Sequence, residues 1–465
     1  MNPTPFREEA SLDQWMDRHH VKRIRSFVTN LDGIGLGKYC NRSKFLKALP
    51  NGHNIADVAL AADSESTPHL TFWHSFRHNV MGDILLKPDL DTLVTDGIDT
   101  DLGHVICEFT NMDGSAIDLC PRTKLKQVVK AVNDVGFQVK ATCELEFFLF
   151  EDSFDEARLK QYQNLQAIES SPLETIYFLR DSYRAAGFMN EVIKRLEWCG
   201  IQWEAWNDEN GHGQIELNLV PTDPISLADN VMRSKQIIFE TASDLGLSAT
   251  FMAHPQKGFS NGMHIHHSLL SDSKPVFFDA TKPENRSDLL LHWIAGLVDT
   301  MPAATSYLCP TINSFRRMRE FAAPPVTATW GEENKSTGIR LISKSPSTTR
   351  IEHRVGAGDL NPYLALAAIL AGGLSGFTSK STPPTECNAL AWGLPAEIPR
   401  LPRSIMEAAG ELDRNDALKD ILGHEDVDYW IKSRRHDWLN FNAKGNDPDD
   451  SKPSQWEYDR YFNLF

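Results

Sequence analysis

The stretch Lys140–Phe150, KATCELEFFLF, constrains this chain more than any other. Read as a β-strand, its side chains alternate between two faces. Thr142, Glu144, Glu146 and Phe148 point one way, and Cys143, Leu145, Phe147 and Leu149 the other. The second is a core face. The first sets two carboxylates side by side between apolar neighbours, where they repel and lose hydration unless something cationic lies above them. On its own such a pair is most often a solvated strand edge, so its meaning depends on what the other strands carry.

Four later stretches repeat the pattern. In Gln214–Leu219, Gln214, Glu216 and Asn218 share a face against Ile215, Leu217 and Leu219. In His264–Leu269, His264, His266 and Ser268 oppose Ile265, His267 and Leu269. In Arg350–Val355, Arg350, Glu352 and Arg354 oppose Ile351, His353 and Val355, and Gly338–Leu341 adds Arg340. His267 and His353 fall on the apolar side and read as structural. A half-wet antiparallel sheet alternates in this way, but Lys, Thr and Ser would serve its outer face. A curved sheet around a polar cavity explains the choice of Glu, His and Arg. Hard oxygen donors with a single imidazole suit Mg²⁺ or Mn²⁺ and argue against a thiolate-type zinc site. Metals beside arginines are the parts of a phosphoryl-transfer site. No P-loop occurs, and neither Gly33-Ile34-Gly35-Leu36-Gly37 nor Gly211-His212-Gly213 opens a helix as a dinucleotide fingerprint would.

With 465 residues, 41% of them hydrophobic, the chain has ample core for two or three domains of α+β type. Its 47 Lys and Arg against 63 Asp and Glu leave a formal charge of −16, which argues against a nucleic-acid or anionic-membrane surface. A site for anionic substrates must then gather its own cations. Seven scattered cysteines without a CxxC pair read as reduced thiols in a cytoplasmic protein. No signal-peptide pattern or bilayer-length apolar run is apparent.

Taken in order, residues 11–115 read as a small α+β unit. It has a helix at Leu12–His20, a strand at Val21–Thr29, a short helix at Asn41–Ala48, and strands in Gly82–Leu93 and His104–Phe109. The aromatic-rich segment Ala62–Val80 reads as a functional loop. Cys120-Pro121-Arg122 marks a boundary, and residues 120–465 form the second unit. Its helices are expected at Arg122–Val135, at Pro224–Leu245, at Leu289–Tyr307, at Asn361–Phe377 and through much of Pro399–Phe465. Residues 151–199 read as two helices broken at Ser170-Ser171-Pro172, and Asn313–Pro325 as a loop whose Arg316 and Arg319 form a basic patch.

In order along the chain, CELEFF, ENGHGQIELN, NGMHIHHSL, NSFRRM…APP…WGEENK…GIR and RIEHR…D…NPYLALAA resemble the glutamine synthetase superfamily. The likeness runs from TNLDGIGLGK to the terminal WEYDRYF. It implies an N-terminal β-grasp domain, a catalytic domain with a funnel of antiparallel strands, and a ring-shaped homo-oligomer, a dodecamer by resemblance, whose sites are shared between neighbours. By position, Glu146, Glu209 and Glu216 would hold one metal, and Glu144, His264 and Glu352 the other. Glu204, His266, Ser268 and Arg350 would lie on the nucleotide side. Arg317 and Arg354 would hold the carboxylates of glutamate, Glu146 would also border that substrate, and Arg340 would face the phosphates. The implied reaction activates L-glutamate with ATP as a γ-glutamyl phosphate, which an amine then attacks.

The chain departs from the family at the amine end. Ammonia-using members carry an Asp-Gly-Ser-Ser loop, and the corresponding region here is ADSESTPHLTFWHSFRH. They also carry a Glu just before an Ala-Pro, where this chain has Phe321-Ala322-Ala323-Pro324. Burying ammonium among Phe72, Trp73, Phe76 and Phe321 forfeits hydration. An amine with an apolar substituent gains ~25 cal/mol per Å² there. These features point to a γ-glutamyl amide synthetase for an alkyl-, aryl- or polyamine, of the kind that opens amine catabolism, although Phe72–Phe76 would serve equally as subunit packing. Lys335 stands where the family has an arginine, and Phe259-Ser260 in Gly258–Asn261 where it has an Asn-Gly pair holding glutamate. No adenylylation tyrosine loop is recognisable in Thr382–Pro402. The rivals are a glutamine synthetase with an unusual ammonium site, a catalytically silent nitrogen-metabolite sensor of the same fold and, more remotely, a relative that phosphorylates a guanidino group.

Overall fold

The computed structural model describes residues 5–6, 11–64, 69, 81–169, 173–448, 450 and 452–465. The first sheet is built from β1 (Arg23–Thr29), β2 (Gly35–Asn41), β3 (His53–Ala56), β4 (Asp83–Thr95) and β5 (Leu102–Thr110), in the order β2-β1-β5-β4-β3. Its central β1/β5 pair is parallel and the others antiparallel, the arrangement of a β-grasp unit. The Leu12–Arg18 helix, capped by the Ser11 hydroxyl, adds buried Trp15 and Met16.

The second sheet contains β6 (Gln138–Phe150), β7 (Trp203–Asp208), β8 (Gln214–Leu219), β9 (Ser248–Thr250), β10 (Met263–Ser271), β11 (Lys274–Pro275), β12 (Trp330–Glu332), β13 (Ile339–Ile342) and β14 (Arg350–His353). Its path is β12-β13-β14-β10-β6-β8-β7, with β11 on β10 and β9 on β6. All pairs are antiparallel except β12/β13. Cys143, Leu145, Phe147 and Leu149 are almost wholly buried, together with Ile265, Leu217 and Ile351 from neighbouring strands. The alternation expected from the sequence therefore holds, and the polar faces line the hollow of a curled sheet.

Helices cover the apolar face. Pro362–Ser379 starts on the Asn361 cap and packs along Asp288–Leu308. The approach is close enough that a Cβ on Gly296 would lie 2.2 Å from the Gly372 carbonyl oxygen, so only glycine fits there. The Pro362–Ser379 helix is long and apolar enough to cross a bilayer, contrary to the expectation that no run would be, but 78% of its apolar window is buried and it serves as a core helix. A second correction concerns 151–199. The described helices are Phe154–Leu159 and Leu179–Trp198, and the chain between them turns through left-handed Gln161, Tyr162 and Asn164, which end the first helix long before the expected break. Residues 170–172 lie outside the described residues.

Several contacts lock the two sheets together. Arg122 pairs with Asp229 on one side and with Asp89 and Glu108 of the first sheet on the other. Asn361 donates to the Asn30 and Leu31 carbonyls, and buried Arg434 pairs with Asp32.

Candidate active site

Strand register assembles the acidic groups. Glu144 of β6 lies opposite His264 of β10, and Glu146 lies opposite Glu216 of β8. Glu352 of β14 faces His266 on one side and Arg340 of β13 on the other. Cross-strand neighbours on one face stand about 4.5–5.5 Å apart at Cβ, so five strands deliver these side chains to one place. Ligand atoms of Glu144, His264 and Glu352 lie within 4.8 Å of one another, as do those of Glu146, Glu216 and His264.

The first trio matches the set implied by resemblance. In the second, His264 takes the place expected for Glu209, which stands close enough to Glu146 to feel its charge. Burial, with repulsion from Glu146, pushes Glu209 up to about 7, and burial with repulsion from Glu144 and Glu146 does the same to Glu216. Burial also acts upward on Glu144, but hydrogen bonds at 3.0 Å to His264 and His266 outweigh it and hold that carboxyl well below its ordinary range. Glu352 is fully buried, which acts upward, yet Arg354 and the two histidines keep it low. Glu209 and Glu216 thus lack a cation close enough to offset their burial and their carboxylate neighbours. An oxygen-rich donor set with one shared imidazole fits a hard divalent cation.

That mismatch has a measurable consequence. An acid whose folded-state pKa is raised contributes stability below its unfolded value and loses it as pH rises through the folded value. Without metal, the Glu209 and Glu216 contributions should fade up to about 7, and a bound cation should reverse the loss. Mg²⁺ or Mn²⁺ at a hundredfold excess over Kd adds about 2.7 kcal/mol. Scanning fluorimetry after chelation should show a larger metal-induced rise in Tm at about pH 8 than at about pH 5.5. Equal shifts at both values would contradict the site.

Polar neighbours orient these groups. The Gly262 amide donates to Glu146 Oε2 at 2.6 Å, and Gln214 Nε2 donates to the same oxygen at 3.1 Å. Asn218 holds Glu216 at 3.0 Å. A Cβ at Gly262 would stand 2.9 Å from His264 Nε2, 3.2 Å from Arg317 Nη2 and 3.3 Å from Glu146 Oε1, so this glycine leaves the room in which those groups meet. The same distances place Arg317 beside the acidic cluster. Arg317 Nη1 donates to the Val355 carbonyl at 3.2 Å, while its buried Nε and that of Arg340 have no hydrogen-bond partner among the described residues. Donors left over in this way suit an anionic substrate. Arg340 pairs with Glu352 and Glu333, and Arg354 with Glu352, its Nε donating to the Lys335 carbonyl at 2.8 Å. The Lys335 side chain is exposed, and its charge counteracts the rise of Glu209.

An open cavity of about 280 Å³ adjoins the cluster and brings together Glu204, His266, Ser268 and Arg350 with Glu144. Arg350 Nε donates to His266 Nδ1 at 3.3 Å. Arginine has no acceptor, so Nδ1 is the bare nitrogen and Nε2 carries the hydrogen given to Glu144. His267 and His353 are buried on the far face, where His267 accepts from Trp293 Nε1 at 2.8 Å, in agreement with their structural reading.

The sequence reading missed Lys140, Ser347, Thr348 and Tyr177. Lys140 shares the even-numbered face of β6 with Glu144 and lines the cavity, so its parity was a usable signal. Ser347 and Thr348 line it from a turn without periodicity. Tyr177, left-handed at φ 57°, has its hydroxyl pushed up by burial and by four glutamates of the cluster, and nothing in the local sequence announces that. Arg316 is a correction. It is no loop cation but a buried partner of Glu457. Of the expected amine pocket, Phe72, Trp73 and Phe76 lie outside the described residues, and Phe321 is 70% exposed with its ring 6.0 Å from Trp392. In the altered Gly258–Asn261 segment, Phe259 meets the His212 ring at 5.6 Å, and the Ser260 carbonyl accepts from Gln214.

Known proteins resemble this chain over most of its length. The profile of the glutamine synthetase catalytic domain matches residues 118–461. The chain is 29% identical over 442 residues to type-1 glutamine synthetase 2 of Dictyostelium discoideum, covering 94% of this chain and 82% of that one. It is also 29% identical over 457 residues to glutamate–isopropylamine ligase of Pseudomonas sp, covering 97% of each. Among solved structures, apo GmaS without ligand superposes with a TM-score of 0.81 at 24% identity, covering 97% of this chain and 99% of that one.

Proposed function

We propose, from the premise that this chain belongs to the glutamine synthetase family, that it joins L-glutamate to a non-ammonia amine and releases a γ-glutamyl amide. As a member of that family it is an ATP-dependent ligase. In our reading ATP enters the cavity lined by Glu204, His266, Ser268 and Arg350. Glu144, His264 and Glu352 would hold one Mg²⁺ or Mn²⁺, and Glu146, Glu216 and Glu209 another. Such ions, when bound, neutralise phosphate oxygens. Arg317 and Arg354 clamp the carboxylates of glutamate, and Arg340, released from Glu352, meets the developing phosphoryl charge. Glutamate's γ-carboxylate oxygen attacks the γ-phosphorus and ADP leaves. The amine nitrogen then attacks the γ-acyl carbon, the carbon–oxygen bond to phosphate breaks, and the amine gives up a proton as phosphate departs.

The observation that carries the choice of amine is the state of Glu320, the carboxylate that directly precedes the changed Phe321–Pro324 stretch in sequence. It is tied to Arg400 and accepts from the Gly393 amide at 2.7 Å, so it is committed away from an ammonium ion, and the next residue is an exposed phenylalanine. The Pseudomonas relative, named for an isopropylamine substrate, supports the same choice. The Dictyostelium relative, equally similar and named a glutamine synthetase, keeps ammonia as the second reading. A ring-shaped homo-oligomer in the cytoplasm belongs to our proposal, with exposed Leu173, Leu179 and Tyr183 as surface for a neighbouring copy. Phosphate release with glutamate, ATP and a panel of amines tests it. Alkyl- or arylamines should exceed ammonium in kcat/KM, and the reverse order would refute the amine reading.

A further inference from the structure

The loop after Arg317 has features that the phosphoryl-transfer machinery does not use. Phe321 and Ala323 both sit in the left-handed region, at φ 60° and 72°, where residues other than glycine are uncommon and held at a cost. Phe321 nevertheless presents a ring that is 70% exposed. Beside it, at 6.0 Å between centroids and 48° between planes, stands the half-buried ring of Trp392. Trp392 Nε1 donates to the Pro324 carbonyl at 3.0 Å, which braces the indole against the same loop. Glu320 is locked on Arg400 and the Gly393 amide, so the loop offers rings on this side and holds its carboxylate elsewhere.

This ring pair connects to the reacting end of the site through short links. The Ala391 amide donates to Ser336 Oγ at 2.9 Å, and Asn334 Nδ2 donates to the Cys387 and Ala389 carbonyls, both at 2.9 Å. The segment carrying Trp392 therefore lies on the segment carrying Lys335, whose carbonyl holds Arg354. Phe321 approaches from the other side, four residues after Arg317. The tilted ring pair is thus tied on one side to the segment that holds Arg354 and on the other to the loop that follows Arg317.

We infer that Phe321 and Trp392 form the slot for the apolar substituent of the acceptor amine, and that the chain selects branched-alkyl or aryl amines over methylamine through it. The inference rests on the amine reading above. A ring edge and an indole face offer contact area at little entropic cost to a flat or branched hydrocarbon. Ammonium has nothing to place there.

The test measures kcat/KM for ammonium, methylamine, isopropylamine and benzylamine in the wild type, in Phe321→Ala and in Trp392→Phe. In the wild type kcat/KM should climb with the apolar area of the substituent. Phe321→Ala should flatten that climb, lowering benzylamine about tenfold or more and methylamine less than about threefold, with KM for glutamate and ATP unchanged. Trp392→Phe keeps a ring but loses the brace to Pro324, and it should retain most of the discrimination. A wild type that prefers ammonium sinks the amine reading and this inference together. If the wild type prefers larger amines but Phe321→Ala keeps the full climb, or loses all amines equally, only the slot is refuted.

Discussion

Glu352→Gln should reduce kcat by about a thousandfold or more, some 4 kcal/mol of transition-state stabilisation. Glu352 is fully buried, pairs with Arg354, bonds Arg340 Nη1 at 3.1 Å and lies 4.0 Å from His266 Nε2. It also belongs to the group with Glu144 and His264 that would take a cation. Glutamine preserves shape and one acceptor oxygen but removes the charge that all these neighbours face. Arg354 then loses its counter-ion, Arg340 is left with Glu333 alone, and one donor set falls to two members. Removing one preorganised donor from an active site commonly costs about 10²–10³ in kcat, and here the aim of both arginines changes as well. Phosphate release measures the loss, with far-UV circular dichroism showing the fold retained. A loss of less than about tenfold would mean that Glu352 only packs the sheet.

The neighbouring arginines should separate folding from chemistry. Arg316→Met should destabilise the protein by about 3–5 kcal/mol, because it leaves Glu457 charged and buried. Both side chains of that pair are essentially inaccessible, and Arg316 also binds the Asp447, Pro448 and Asp450 carbonyls. Below the new Tm, KM for glutamate should stay unchanged. Arg317→Met should do the opposite. Among the described residues it bonds the neutral Val355 carbonyl and the Cys309 thiol and pairs with no carboxylate, so folding loses little, whereas a lost charge-assisted contact of about 1.5–3 kcal/mol raises KM for glutamate roughly ten- to a hundredfold. Urea titration and initial rates on both variants check the contrast. If Arg317→Met proves the less stable and Arg316→Met the weaker binder, their roles have been exchanged.

Much of the site was legible because a strand has a period of two. Parity alone assigned Glu144, Glu146, Glu216, His264, His266, Glu352 and Arg350 to one face, and the observed register seats all but Arg350 opposite another of the set. What parity cannot supply is register, which depends on bulges and on contacts distant in sequence. The pairing of Glu146 with Glu216, and the place of His264 between two groups of ligand atoms, emerged only from the assembled sheet. Arg316 and Arg317 are adjacent and chemically identical. Within the tight Asn313–Arg317 turn one is turned toward Glu457 and the other toward Gly262, a difference that no local pattern encodes. Trp392 was missed for a similar reason. It lies in an irregular segment, and its relation to Phe321 is purely tertiary.

The account rests most directly on the identity of the product. The chain should be incubated with L-glutamate, ATP, Mg²⁺ and an equimolar mixture of ammonium, methylamine, isopropylamine, benzylamine and putrescine, and the products weighed by mass spectrometry. The predicted spectrum shows a γ-glutamyl amide of one of the organic amines, formed only when ATP is present and absent from Glu352→Gln. Glutamine as the dominant product would contradict the choice of amine, and a spectrum without any ATP-dependent amide would contradict the assignment of the hollow itself.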